Sequence, residues 1–168
     1  KTHALTKEDF GGRFLQPGVC EFTMACIMNG IALHGGIIPA CGTFFVFSDY
    51  MKPVLRLSAL MRLPVKFIWT HDSFRVGEDG PTHQPIEHEA QLRLMEQLRN
   101  HHGERSVVVL RPADARETVA AWKIAMEEQR PTALVLSRQN IKDLPALHGN
   151  RAEEAMQAVK GAYVVMDC

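Results

Sequence analysis

The stretch Val65-Lys66-Phe67-Ile68-Trp69, followed by Thr70-His71-Asp72-Ser73 and then by Gly77-Glu78-Asp79-Gly80-Pro81-Thr82-His83-Gln84, decides the fold. Its first part is an apolar run with little polar alternation, the pattern of a strand buried on both faces. Its second part is a glycine-broken loop that packs two histidines and three acids together. In open α/β sheets ligands sit in the crevice beyond the carboxyl ends of the strands. The loop therefore reads as a site.

Working outward, the same pattern recurs on both sides. Glu21 to His34 carries Phe22, Met24, Ala25, Met28, Ile31 and Ala32 at roughly helical spacing, which predicts a mostly buried helix ended by Gly35-Gly36. Thr43 to Phe47 is aromatic and β-branched and reads as a strand. Ser48-Asp49 then starts a helix through about Met61 that bears Met51, Leu55, Leu60 and Met61, with Pro53 in its first turn. A helix follows from about Pro85 to Leu98, with Leu92, Met95 and Leu98 inward. Val107 to Leu110 reads as a strand, Asp114 caps a helix from Ala115 to Glu128, and Thr132 to Leu136 reads as another strand. A connector at Asn140 to Gly149 leads to an amphipathic segment, Arg151 to Val159, and a last strand at Ala162 to Val165. Helices alternating with continuously apolar strands predict an α/β fold: a parallel sheet with helices on both faces and right-handed crossovers.

Composition narrows the function classes. The 168 residues suit one domain, and 19 basic side chains balance 19 acidic ones, so no charge excess points to nucleic acid or an anionic membrane. No apolar run approaches a membrane span and the amino end lacks a signal-peptide pattern, so a cytoplasmic location is expected. Cys20, Cys26, Cys41 and Cys168 lack metal-ligand spacing and read as core-filling thiols. The chain opens on Lys1-Thr2-His3 and stops directly after a strand-like run, the pattern of a segment cut from something longer.

Three polar clusters stand at the predicted strand ends or helix starts: Glu21, the His71 to His83 loop, and Ser137-Arg138-Gln139-Asn140. On a parallel sheet such clusters converge at one edge and form a ligand crevice. Glu21 lies among apolar neighbours in sequence, a setting that suits proton exchange, although acids are also ordinary in a first helical turn. Phe44, Phe47 and Tyr50 recur every three residues and can either stack on a planar heterocycle or pack the core. His71, Asp79 and His83 suit a polyhydroxylated or phosphorylated substrate. A solvated loop is the plain alternative, and a metal site from His83, Glu87 and His88 is disfavoured because HExxH spacing is absent. Arg138 offers a donor fork matched to phosphate, or a surface ion pair. His101, His102 and His148 read as solvent-exposed, and neither Gly11-Gly12 nor Gly35-Gly36 belongs to a phosphate-cradling motif.

The runs GVCEFTMACIMNGIALHGG, CGTFFVFSDYMKPVLRLSALMRLPVKFIWTHDSFRVGEDGPTHQPIEHEAQLR, LRPADARETVAAW and ALVLSRQN resemble the central pyrimidine-binding domain of transketolases. The resemblance covers about Gly12 to Asn140. It implies a partial pyrimidine-binding domain over 1–149, its amino-terminal part missing, and a helix and strand over 150–168 leading toward a carboxyl-terminal domain. It implies transfer of a two-carbon ketol unit from a ketose phosphate to an aldose phosphate, with thiamine diphosphate as cofactor. A divalent cation, magnesium or calcium, would be held by a diphosphate-binding domain absent from this chain. The cofactor would lie across a homodimer interface, against that domain of the second subunit, so the chain alone would be inactive.

By the same resemblance Glu21 would hydrogen-bond the aminopyrimidine, with Phe44, Phe47 and Tyr50 forming its aromatic pocket. His71 and Arg138 would meet the sugar phosphate, Asp79 a hydroxyl, and His83 the reacting carbonyl or hydroxyl; Glu21 and His83 would be the catalytic pair. Cys20 stands where the family often has arginine. A deoxyxylulose phosphate synthase shares the cofactor, but His71 and the complete GEDGPTHQP favour transketolase. A non-catalytic assembly or regulatory module is the alternative from another class, and the presence of both Glu21 and His83 argues against it.

Overall fold

The computed structural model describes residues 3–74 and 76–166. Four parallel strands form one sheet in the order β1-β2-β4-β3: β1 (Ala40–Phe44), β2 (Lys66–Thr70), β3 (Val108–Leu110) and β4 (Thr132–Val135). Consecutive residues of β4 point into different cores. Ala133 and Val135 join a cluster with Phe67, Trp69, Leu55 and Leu92, whereas Leu134 packs on Ala121 and Ala125. α1 (Glu21–His34), α2 (Lys52–Met61) and α3 (His88–Gln97) thus cover one face and α4 (Ala115–Glu127) the other. Burial on both faces is why β2 and β4, inside the sheet, are mostly apolar without alternation, whereas the edge strand β1 alternates exposed and buried residues over Ala40–Gly42.

Several boundaries depart from the expectation. The strand expected at Thr43 to Phe47 ends at Phe44, and residues Phe45–Tyr50 form a 3-10 helix before α2 begins at Lys52. Leu60 and Met61 are exposed, because α2 turns only Val54, Leu55, Ser58 and Ala59 inward. α3 starts at His88, with Leu98 outside the helix and exposed. α1 is not mostly buried: Ala25, Met28 and Asn29 face α2 and the sheet, while Phe22 and Leu33 are open. Asn29 is a polar core residue held by Val54 O (3.3 Å) and Ser58 Oγ (2.6 Å). Cys41 is a core thiol, as expected, and burial pushes it up to about 12, but Cys20 and Cys26 are exposed on α1's open side. Cys168 lies outside the described residues.

The amphipathic segment forms a short helix α5 (Arg151–Ala155) and a 3-10 turn (Met156–Lys160), and no strand follows at 162–165 among the described residues. That segment is held by side chains instead of a ladder. Tyr163 Oη hydrogen-bonds Glu117, and Arg151 reaches Asp114 Oδ2 (2.8 Å), Glu117 Oε1 (2.6 Å) and Tyr163. Asp114 also caps α4 by accepting from Glu117 N (2.7 Å), as the sequence predicts. No helix among the described residues is long and apolar enough to cross a membrane.

Lys66 is the unexpected resident of β2. Its Nζ is turned away from water and donates to Glu128 O (2.8 Å) and Arg130 O (3.4 Å) beyond the end of α4. Burial pulls its ammonium down from 10.5 to about 8, against the opposing pull of the Glu128 carboxylate. Between those two values the unfolded chain binds the proton that the folded chain has released, so this group makes stability rise with pH across that window. Urea midpoints at about pH 7.5 and about pH 9.5 test this: the parent should gain on Lys66→Met as pH rises. An unchanged difference between the two proteins would remove the linkage.

Candidate active site

β1, β2 and β4 are neighbours and run parallel, so the segments leaving their carboxyl ends emerge side by side. Phe44 lies opposite Thr70 in the ladder, and Leu136 N donates to Trp69 O at 2.8 Å. Residues 45–50, 71–74, 76–83 and 137–140 therefore share one edge. This is where the sequence placed its aromatic run and two of its polar clusters.

The 3-10 helix after β1 gives the aromatic spacing its meaning. Such a helix has three residues per turn, so side chains at i and i+3 line up. Phe44 and Phe47 stack at 6.1 Å with an interplanar angle of 18°, and Phe47 and Tyr50 at 6.1 Å and 23°. Phe45 and Ser48, out of that line, are buried. Phe44 carries the His71 ring on its face at 3.5 Å, and His83 meets Phe47 edge-on at 5.3 Å. A three-ring shelf bordered by two imidazoles results, and its outer ring, Tyr50, is exposed.

His71 adopts a left-handed backbone (φ 59°), uncommon for a residue with a Cβ, and its Nδ1 lies 2.9 Å from Thr70 Oγ1. Burial, the nearby Arg138 guanidinium and His83 pull its ring below the usual histidine range, while Asp79 pulls the other way. His71, Asp79, His83 and Arg138 thus share one electrostatic neighbourhood although they span 68 positions of sequence. Arg138 Nη1 lies over Gly77, whose φ of 92° favours glycine and where a Cβ would stand 3.6 Å from that nitrogen. Removing the cation in Arg138→Ala should move the His71 titration midpoint upward in NMR, and an unmoved midpoint would separate the two groups.

Glu21 opens α1 and is half-buried, accepting from Thr43 Oγ1 at 3.3 Å, one residue before the shelf begins. Its apolar neighbours in sequence do not enclose it, since Val19 is 98% and Phe22 52% exposed. The carboxylate stands at the rim of an open apolar surface. Cys20, beside it, donates to Thr23 Oγ1 at 3.0 Å and gives the carboxylate no cation.

His83 takes no part in the one metal-compatible group among the described residues, which is Asp49, Glu87 and His88. His88 is buried, with Nε2 at 3.0 Å from Val46 O and 3.1 Å from Asp49. Lys52 already pairs with Asp49 and supplies its cation. His88 fastens α3 to the aromatic turn, a role that no local spacing announces. His101, His102 and His148 are exposed, as expected.

Comparison with known proteins places this geometry. The family described as transketolase, pyrimidine binding domain, matches residues 1–143. A transketolase of Halalkalibacterium halodurans is 53% identical over 163 residues, 95% of this chain and 22% of that protein. The solved transketolase from Leishmania mexicana superposes with a TM-score of 0.84 at 39% identity, covering 99% of this chain and 23% of that one. A split-gene transketolase, solved as an inactive beta4 tetramer, gives a TM-score of 0.63 at 28% identity over 81% of this chain and 41% of its own. The chain spans about a fifth of the length of the curated relatives it matches. By sequence and by fold together, this chain belongs to the transketolase pyrimidine-binding domain family.

Proposed function

We propose that this chain is the pyrimidine-binding and sugar-facing part of a transketolase that moves a two-carbon ketol unit from a ketose phosphate to an aldose phosphate. The observation that supports the reading is that Glu21 accepts from Thr43, the residue before the stacked Phe44, Phe47 and Tyr50 rings, while His71 and His83 border those rings and share an electrostatic neighbourhood with Asp79 and Arg138. The shelf fits a flat heteroaromatic ring, and a carboxylate at its rim fits an aminopyrimidine edge. Thiamine diphosphate, when bound, supplies the carbanion chemistry for cutting and forming a carbon–carbon bond. Its diphosphate and divalent cation, magnesium or calcium, belong to a domain outside this chain, contributed by the second subunit of a homodimer. The exposed Val19 and Phe22 beside Glu21 suit cover by that subunit.

Within the chain, Glu21 holds the pyrimidine ring and shares a proton with it through its carboxylate. The aromatic shelf orients the ring and keeps water from its face. Arg138 and His71 hold the phosphate end of the sugar, Asp79 accepts a hydroxyl proton, and His83 donates to or accepts from the reacting oxygen. Residues 1–149 form the pyrimidine-binding part, and 150–168 lead toward a further domain. The setting is a cytoplasmic enzyme of the pentose phosphate pathway.

The test is ketol transfer by the full-length protein with thiamine diphosphate and magnesium. Aldose-dependent consumption of ketose phosphate is expected there and none from the 168-residue chain, in keeping with the inactive split-gene relative. Activity of the chain alone, or none from the full-length protein, would overturn the reading. Arg138→Ala should raise KM for phosphorylated sugars about 10- to 100-fold with little change in kcat, since a charged contact is worth about 1.5–3 kcal/mol.

A further inference from the structure

Resting on the ketol-transfer reading above, we propose that Arg111 is a positioning residue for sugar-phosphate binding, acting through Asp72 on the backbone turn that carries His71. Arg111 is the first residue beyond β3, the edge strand, and β4 lies between it and β2. Its guanidinium nevertheless reaches the loop after β2. Nη2 donates to Asp72 Oδ2 at 3.0 Å and Nη1 to Glu89 Oε2 on α3 at 2.8 Å. One planar fork therefore bridges the site loop and the helix that follows it.

Asp72 is where that bridge bears on the site. Its side chain is 7% exposed, and its other carboxylate oxygen accepts from Phe74 N at 3.1 Å. Its own backbone N–H donates to Leu136 O at 3.2 Å, just past the end of β4. The residue is thus tied to β4, to its own turn and to Arg111. His71 directly precedes it in a left-handed conformation, which a non-glycine residue keeps only where its surroundings over-determine the backbone. Those ties supply the over-determination, and Arg111 is the one that also neutralises the buried carboxylate. Loosening it frees His71 to leave the face of Phe44 and the neighbourhood of Arg138, while Glu21 and the aromatic shelf lie on separate elements and stay in place.

The experiment compares the full-length protein with Arg111→Met, measuring KM and kcat for a ketose phosphate and for a phosphate-free ketol donor. The expected result is a KM for the ketose phosphate raised about tenfold, with kcat and the KM for the phosphate-free donor within about threefold of the parent. Arg111→Lys, which keeps the charge but lacks the fork, should recover part of the loss. If Arg111→Met does not fold, the double variant Asp72→Asn/Arg111→Met carries the same test without leaving a buried unpaired charge, and the same KM rise is expected. An unchanged KM for the ketose phosphate, or an equal loss on both donors, overturns the positioning role. A parent protein that turns over neither donor overturns the ketol-transfer reading instead.

Discussion

Glu21→Ala in the full-length protein is expected to lower the turnover of ketol transfer by about three orders of magnitude, within the range lost when a positioned proton-exchanging group is removed. The carboxylate is half-buried at the start of α1 and, among the described residues, accepts one side-chain hydrogen bond, from Thr43, the residue before the shelf. Its removal leaves no buried donor stranded, so the folded protein should change in stability by no more than about 0.5 kcal/mol. Glu21→Gln keeps the shape and an acceptor oxygen but cannot carry a proton back and forth, and should fall nearly as far. Steady-state kinetics beside thermal unfolding separate chemistry from folding. A turnover within a few-fold of the parent for either variant would take Glu21 out of the mechanism.

The largest effect on stability is expected at Arg151. Its side chain is 8% exposed and faces Asp114 at 0% and Glu117 at 12%. Burial pushes both carboxyls up, but hydrogen bonds outweigh it and hold them below the usual range: at Asp114 from the Glu117 and Leu144 amides and Arg151, at Glu117 from Tyr163, the Ala113 amide and Arg151. Arg151→Met leaves two carboxylates in the interior without their cation, which costs about 3–5 kcal/mol when one partner of a buried pair is removed. At roughly 2–4 °C per kcal/mol for a chain of this size, the thermal midpoint should fall by about 10 °C.

The pH dependence carries a sign as well. Carboxyls held low in the folded state stabilise it above their unfolded values, and that stabilisation is lost as pH falls through the folded ones. The gap between parent and variant should therefore narrow below the usual carboxylate range. A loss under about 1 kcal/mol at neutral pH, measured by urea unfolding, would show that α5 is not fastened through this group.

Much of the architecture was legible because its signals are local. Strands buried on both faces must be continuously apolar, and those of β2 and β4 stood out for that reason. Asp114 advertised the start of α4 with its own side chain. The run after Gly42 is ambiguous in sequence because aromatic and β-branched residues suit a strand and a short 3-10 helix equally. What separates them is the ladder, which ends at the Phe44–Thr70 pair. The Tyr163 segment reads as a strand for a related reason, since an apolar run beside a tyrosine does not reveal that its hydroxyl is bound for Glu117, 46 residues away.

The site divides along the same line. Residue types and spacing marked Glu21, the aromatic triplet, the His71 to His83 loop and Arg138 as chemistry-bearing, and the roles proposed for them come from the family resemblance. Neither Arg111 nor the fastening role of His88 could be read locally, because each acts through a partner 39 or more residues away. By itself the sequence determined most of the helices and strands and the polar ends of the strands, since these follow from periodicity and side-chain chemistry over a few residues, whereas which helix faces are covered was not legible in it. Only the tertiary structure decided that β4 lies beside β2, which brings Arg138 over Gly77 and beside His71, and that Arg151 closes on Asp114. Pairing across such distances depends on how whole elements pack, and no local stretch of sequence encodes that.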